Sequence, residues 1–196
     1  MSQDDRPTSR RAGRGLRLIA ALLCVALASA GCDDDEMTGA PCLDFNPFAV
    51  PDPLTVTAAE GLGSTCDVAV VDLIVTDVSN LYAASFDVNY DATRVSLVTV
   101  ATTNSALGSD GAPLLRQVTQ VGTGQIHVAI TRSLPATMGV DVVGGATLAT
   151  LTFLRAGTSG MTAMTFTDAD LLDPSTPPQP LPGILFSGGS FAIFTN

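Results

Sequence analysis

The sequence predicts an all-β domain folded as a β-sandwich, and three observations carry that prediction. From about residue 42 onward, apolar and polar side chains alternate with a period of two, the spacing of a strand with one buried face. Gly, Pro, Asn and Asp interrupt these runs at short intervals, where turns use their backbone preferences. Past the N-terminal segment no stretch sustains the 3.6-residue period of a helix. For a chain of 196 residues this pattern implies eight or nine short strands around one core.

The clearest strand covers residues 81–90. There Tyr82, Ala84, Phe86, Val88 and Tyr90 share an inward face, and Ala83, Ser85, Asp87 and Asn89 share the outward one. The turn Asp91-Ala92-Thr93-Arg94 follows, and Val95, Leu97, Val98 and Val100 resume a β-branched, apolar run. Residues 117–121 and 125–131 flank Gly122-Thr123-Gly124, a hairpin whose glycines supply positive φ. Within it Ile126, Val128 and Ile130 point inward, and His127 and Ala129 point to solvent. Further strands are expected over residues 145–155, with Ala149, Leu151 and Phe153 on one face, over 161–167, with Thr162, Met164 and Phe166, and over 189–195. Residues 173–183 carry Pro174, Pro177, Pro178, Pro180 and Pro182, which cannot sit inside a sheet and mark a surface loop before the last strand.

The N-terminus reads as an export signal. Arg6, Arg10, Arg11, Arg14 and Arg17 precede or open an apolar run from residue 16 to 30, too short for a bilayer span of about 20 residues and closed by small side chains. Ser29-Ala30-Gly31-Cys32 resembles the lipobox of bacterial lipoproteins, which implies that residues 1–31 are removed and that Cys32 is acylated as a lipid anchor. Residues 32–41, with Asp33, Asp34, Asp35 and Glu36 in a row, then form a solvated acidic tether. The folded domain is expected over residues 42–196, outside the cytoplasm and held in the cell envelope.

Charge narrows the partners. Five of the nine Arg and two of the 19 acids lie in residues 1–31, so residues 32–196 keep four Arg against 17 acids, a net charge of −13. There is no Lys, and Arg94, Arg116, Arg132 and Arg155 are scattered singly. No basic stripe exists to neutralise phosphates, which excludes nucleic acid, and charge alone would not hold the domain to anionic lipid. With Cys24 in the signal and Cys32 reserved for lipid, Cys42 and Cys66 remain as a disulfide pair, two free buried thiols being the alternative.

Catalytic machinery is not legible. The only histidine, His127, sits on a strand and reads as solvent-facing. Gly157-Thr158-Ser159-Gly160 lacks the spacing of a nucleophile elbow. Two sulfurs and one distant imidazole do not make a zinc site. Asp168, Asp170 and Asp173 are spaced so that a calcium ion would bridge a bend, although turn-capping is the more ordinary use of such aspartates. No glycine-rich loop leads into a helix, and no cofactor is expected.

A resemblance to a known family emerges from the motifs in order. Tyr82-Ala83-Ala84-Ser85-Phe86-Asp87-Val88-Asn89-Tyr90-Asp91 followed by Val95-Ser96-Leu97-Val98-Thr99-Val100 resembles the paired strands of cohesin domains. Gly145-Ala146-Thr147-Leu148-Ala149-Thr150-Leu151-Thr152-Phe153 is similar to a later strand of that family, and residues 160–173, containing Phe166, Ala169 and Asp170, to the strand after it. The resemblance spans residues 50–195. It implies a nine-stranded jelly-roll sandwich related to carbohydrate-binding modules, without catalytic activity, that recognises a protein partner through one sheet face. In cohesins that partner is a dockerin on an enzyme of polysaccharide breakdown. The matching positions of the docking face here are Ala83, Ser85, Asp87 and Asn89.

Three functions fit these expectations. The first is a surface-tethered module for protein recognition, whose flat, acidic face would steer a basic partner surface. The second is a carbohydrate-binding module, for which the aromatic platforms would have to come from Tyr82 and Tyr90, both expected inward, in a chain without Trp. The third is a structural envelope protein.

Overall fold

The computed structural model describes residues 39–195. The signal, the anchor Cys32 and most of the tether lie outside the described residues. Eleven strands occur among the described residues: β1 Pro41–Pro47, β2 Thr55–Glu60, β3 Val68–Thr76, β4 Ala83–Asn89, β5 Val95–Ala101, β6 Leu114–Gly122, β7 Gln125–Arg132, β8 Gly145–Arg155, β9 Gly160–Leu172, β10 Leu185–Ser187 and β11 Gly189–Thr195. A 3₁₀ turn, Ala106–Gly108, is capped by the Ser105 side chain. One sheet has the order β1-β11-β9-β4-β7-β6 and the other β10-β2-β3-β8-β5.

The eleven exceed the expected eight or nine, and β1, β2, β3 and β10 lie outside the segments read individually as strands. β1 is framed by two prolines and starts at Pro41, inside the stretch read as tether, yet it alternates Leu43 and Phe45 into the core. β10 has only three residues and pairs parallel with β2, below the length at which periodicity is visible in a sequence.

The inward faces meet as expected. Phe86, Val88, Val128, Ile130, Leu151, Phe153, Met164 and Phe191 are essentially without solvent contact. Each such side chain contributes about 1.5–3 kcal/mol by leaving water. Phe153 stacks between Phe191 at 4.7 Å and Tyr90 at 5.4 Å between ring centroids, and Phe45 joins Phe191 at 5.1 Å. Tyr82 and Tyr90, expected inward, are half-buried, since they flank β4 where the sandwich opens to its ends.

Cys42 and Cys66 form the disulfide, tying β1 to the loop before β3 across 24 residues, and Leu43 N–H donates to the Cys66 carbonyl at 2.9 Å beside it. Closing such a loop stabilises by about 3 kcal/mol. The β6–β7 hairpin forms where expected, with positive φ at Gly124 but not at Gly122. Gly124, at φ +75°, lies against the Tyr90 carbonyl so closely that a Cβ there would overlap it. Residues 173–184 form the proline-rich surface loop ahead of β10.

The loops are unequal at the two ends. At the end holding Thr76, Ala83, Arg132 and Leu172 the connections 102–113, 133–144 and 173–184 are long. At the other, with the disulfide, residues 61–67, 90–94, 123–124 and 156–159 turn briefly.

Candidate binding face on the six-stranded sheet

Strand register assembles the site. β4 runs between β7 and β9, so the outward residues of three strands stand in rows. Ala83 faces Thr131 and Leu172, Ser85 faces Ala129 and Asp170, Asp87 faces His127 and Thr167, and Asn89 faces Gln125 and Thr165. β6 extends the rows by Leu115, Gln117 and Thr119 beside Thr131, Ala129 and His127. The four positions expected to form the docking face therefore do point to the outer side of one sheet.

At its centre is a polar network that sequence reasoning missed. Asp87 accepts a hydrogen bond from Gln125 Nε2 at 2.9 Å on one carboxylate oxygen, and its other oxygen lies 2.7 Å from His127 Nδ1. The Asp87 side chain is 9% exposed and that of His127 36%. Two expectations are corrected here. His127 is not a free solvent-facing histidine, and Asp87 is not an open acidic contact, because each neutralises the polar demand of the other. Ala83, also expected on the open face, is buried beneath its neighbours. Toward the disulfide end Asn89 Nδ2 donates to Thr167 Oγ1 at 2.9 Å. Around the network the side chains are small: Ser85, Ala129, Thr131 and Thr167.

The signal for this network was nonlocal. Asp87 and His127 are 40 residues apart, and nothing short of the β4–β7 register puts them opposite each other.

The three aspartates considered for calcium are kept apart. Asp168 adopts a left-handed backbone, φ +46°, in a bulge where β9 spends Asp168 and Ala169 opposite the single residue Phe86. Asp170 is exposed on the outer face beside Ser85. Asp173 closes a turn, accepting from the backbone N–H of Gln179 at 2.9 Å and from Ser175 through both its N–H and its hydroxyl. These bonds, that from Gln179 first, hold its carboxyl below the ordinary aspartate range. Among the described residues no group of three or more His, Cys, Asp or Glu is placed to hold a metal ion.

Beyond the edge of the face, Arg132 is buried and reaches Asp110 with both guanidinium nitrogens, at 2.5 and 3.1 Å, and the Leu107 carbonyl with one of them. The Arg132 side chain, with the Ala112 N–H, holds the Asp110 carboxyl below its usual range. This pair fixes the long 102–113 loop to the last residue of β7.

Comparison with solved structures places this architecture. A two-sheet sandwich with an aromatic core and an open sheet face is the general class, and the fold is the cohesin fold. The second type II cohesin module of the adaptor ScaA scaffoldin of Acetivibrio cellulolyticus superposes with a TM-score of 0.55, covering 72% of this chain and 90% of the module at 13% identity. The cohesin CaCohA2 of Clostridium acetobutylicum, solved in a complex with CaDoc0917, gives 0.50 over 76% of this chain and 96% of that one at 18% identity. A cohesin of a type II cohesin–X-dockerin complex of Acetivibrio cellulolyticus gives 0.50, covering 74% and 98% at 10% identity. No protein-family model matches the chain. No curated protein matches it either.

Proposed function

We propose that this domain is a non-catalytic recognition module that docks a protein partner on the outer face of β6, β7, β4 and β9, displayed outside the cytoplasm on a lipid anchor at Cys32. The observation that carries the reading is the row structure of that face: a fixed Asp87–His127–Gln125 centre surrounded by small side chains on rigid strands. Such a surface is already ordered, so a partner does not have to immobilise long side chains to bind it. Proteins of the same fold are described in complexes with dockerins, which makes a dockerin-like module the first partner to test. Polysaccharide enters this reading only through the enzymes such a partner would carry. The disulfide between Cys42 and Cys66 suits an oxidising, extracytoplasmic setting.

The test is titration calorimetry of residues 38–196 against dockerin modules from the same genome, with a glycan array run in parallel. A dockerin that binds the wild type is expected to lose at least about 100-fold in affinity to Ser85→Arg, which places a long cation in the middle of the face, while the melting midpoint holds. Unchanged affinity in a folded Ser85→Arg variant would remove the face from the proposal. Binding on the array without dockerin binding would favour the carbohydrate reading instead. Separately, Cys32→Ser should move the protein from the membrane fraction to the soluble one if the anchor is real.

A further inference from the structure

β6 is the outermost strand of the six-stranded sheet, and its residues 115–121 are exposed on both sides. From this strand the Arg116 guanidinium reaches across to β5 of the second sheet. A long open edge is a template for another strand, and folded proteins usually blunt it with proline, charge, a bulge or brevity. The other three edges here are treated in that way. β1 is bounded by Pro41 and Pro47 and stapled at Cys42, and β10 has three residues. β5 is bulged at Val98, and its Val100 carbonyl accepts from the Arg116 guanidinium. β6 has nine residues, no internal proline and no acid; its register breaks only at Val121, beside the hairpin turn, and its one charge, Arg116, is engaged by the Val100 carbonyl, so residues 114–120 run unbroken, with Leu115 and Val118 at 61% and 42% exposure.

The strand is also nearly symmetric about its own centre. In Leu115-Arg116-Gln117-Val118-Thr119-Gln120-Val121, apolar residues recur at both ends and the middle, with two polar residues on each side. If a second β6 lay antiparallel across a two-fold axis at Val118, Leu115 would stand opposite Val121, Arg116 opposite Gln120, Gln117 opposite Thr119, and Val118 opposite itself. The Arg116–Gln120, Gln117–Thr119 and Val118–Val118 pairs then each join like polarity on one side of the sheet, with Val121 at its bulge beside Leu115, and no like charges meet. Charge adds an independent reason. Residues 111–140 contain no Asp or Glu but hold Arg116, Arg132 and His127, although residues 32–196 carry −13. Two such acidic domains can approach here without setting carboxylate against carboxylate.

We propose that two copies of this chain associate by antiparallel pairing of β6 with β6 about an axis at Val118, joining two six-stranded sheets edge to edge. The outer faces of both copies would then lie side by side on one surface. The pairing does not depend on what those faces bind. An interface of one short strand is well below the roughly 1,200 Å² of a standard stable contact, so the association should be reversible, with dissociation in the high micromolar range.

The proposal is tested by sedimentation equilibrium on residues 38–196, the compact unit that holds the whole core and the disulfide, from about 10 μM to about 1 mM. The wild type should shift reversibly from monomer to dimer over this range. Val118→Lys and Val118→Glu should each remain monomeric at the highest concentration, because the axis sets residue 118 against its own copy. An equimolar mixture of the two should dimerise again, at or above the wild-type extent. Val118 is partly exposed, so both variants are expected to keep the wild-type melting midpoint, which circular dichroism checks. A wild type that stays monomeric to 1 mM overturns the proposal and leaves the edge to a strand of some other protein. A dimer that survives Val118→Lys, or folded variants whose mixture fails to associate, overturns the two-fold geometry.

Discussion

The two outer faces of the sandwich answer the same problem differently. Each has an aspartate in the middle of a central strand, Asp72 in β3 and Asp87 in β4. On the five-stranded sheet Asp72 accepts from the Thr150 hydroxyl at 2.5 Å, among Val70, Ile74, Thr147 and Thr152. On the six-stranded sheet Asp87 is held by an imidazole and a carboxamide, among alanines, serine and threonines. The first face is finished with β-branched side chains and a hydroxyl that can turn to water. The second keeps a buried carboxylate whose partners are pinned by it, under a surface of short side chains. That difference in how a central carboxylate is satisfied distinguishes the two faces.

The largest expected effect lies under the second face. Phe86 is fully buried in β4, contacts Phe166 edge-on at 5.8 Å and sits opposite the Asp168–Ala169 bulge. Phe86→Ala should cost about 3–5 kcal/mol in urea unfolding, because the cavity left beneath the bulge has little freedom to collapse. Val70→Ala, on the outer side of β3, should cost less than about 1 kcal/mol, since its side chain is only partly removed from water. Equal losses would mean that Val70 is packed as closely as Phe86, against its partial exposure.

A smaller effect compares the two aspartates directly. Asp87→Ala removes two hydrogen bonds from a buried carboxylate, although the half-buried Gln125 and His127 can turn to water, so about 1–2 kcal/mol is expected. Asp72→Ala strands only a threonine hydroxyl and should cost below about 1 kcal/mol. The same urea transitions decide between them. If Asp72→Ala is the more damaging of the two, the account of the Asp87 network is wrong.

These contrasts also show what a sequence can and cannot reveal here. Alternation within one strand is a local signal, so the inward set Phe86, Val88, Val128, Ile130, Leu151 and Phe153 was readable. Cys42 and Cys66 were readable by elimination. The pairing of Asp87 with His127 was not, since it depends on the register of strands far apart in the chain. Nor was the β9 bulge, where one inserted residue carries Leu171 rather than Asp170 into the core while the local pattern looks continuous. The open edge at β6 was hidden for the opposite reason. Its strand was expected over residues 117–121, but only sheet order shows that no strand among the described residues pairs with its outer edge.

The smallest expected effect concerns acid. Asp91, Asp110 and Asp173 all have carboxyls held below the ordinary range, Asp91 chiefly by the Thr93 hydroxyl, then by the Thr93 N–H. All three lie in loops leaving strands of the six-stranded sheet or in the 102–113 loop pinned to β7 by Arg132. A carboxyl with a depressed folded-state pKa stabilises the fold above its unfolded pKa of about 3.9 and loses that contribution as pH falls through the folded value. Protection factors for amide exchange, corrected for the pH dependence of intrinsic exchange, should therefore fall first at residues 91–95, 110–113 and 173–179 when the pH is lowered below about 4, while β3 and β8 stay protected. The groups are solvent-exposed, so global stability should change little until lower pH. Early exchange in β3 and β8 instead would show that the five-stranded sheet, with its Asp72–Thr150 contact, is the acid-sensitive half of the sandwich.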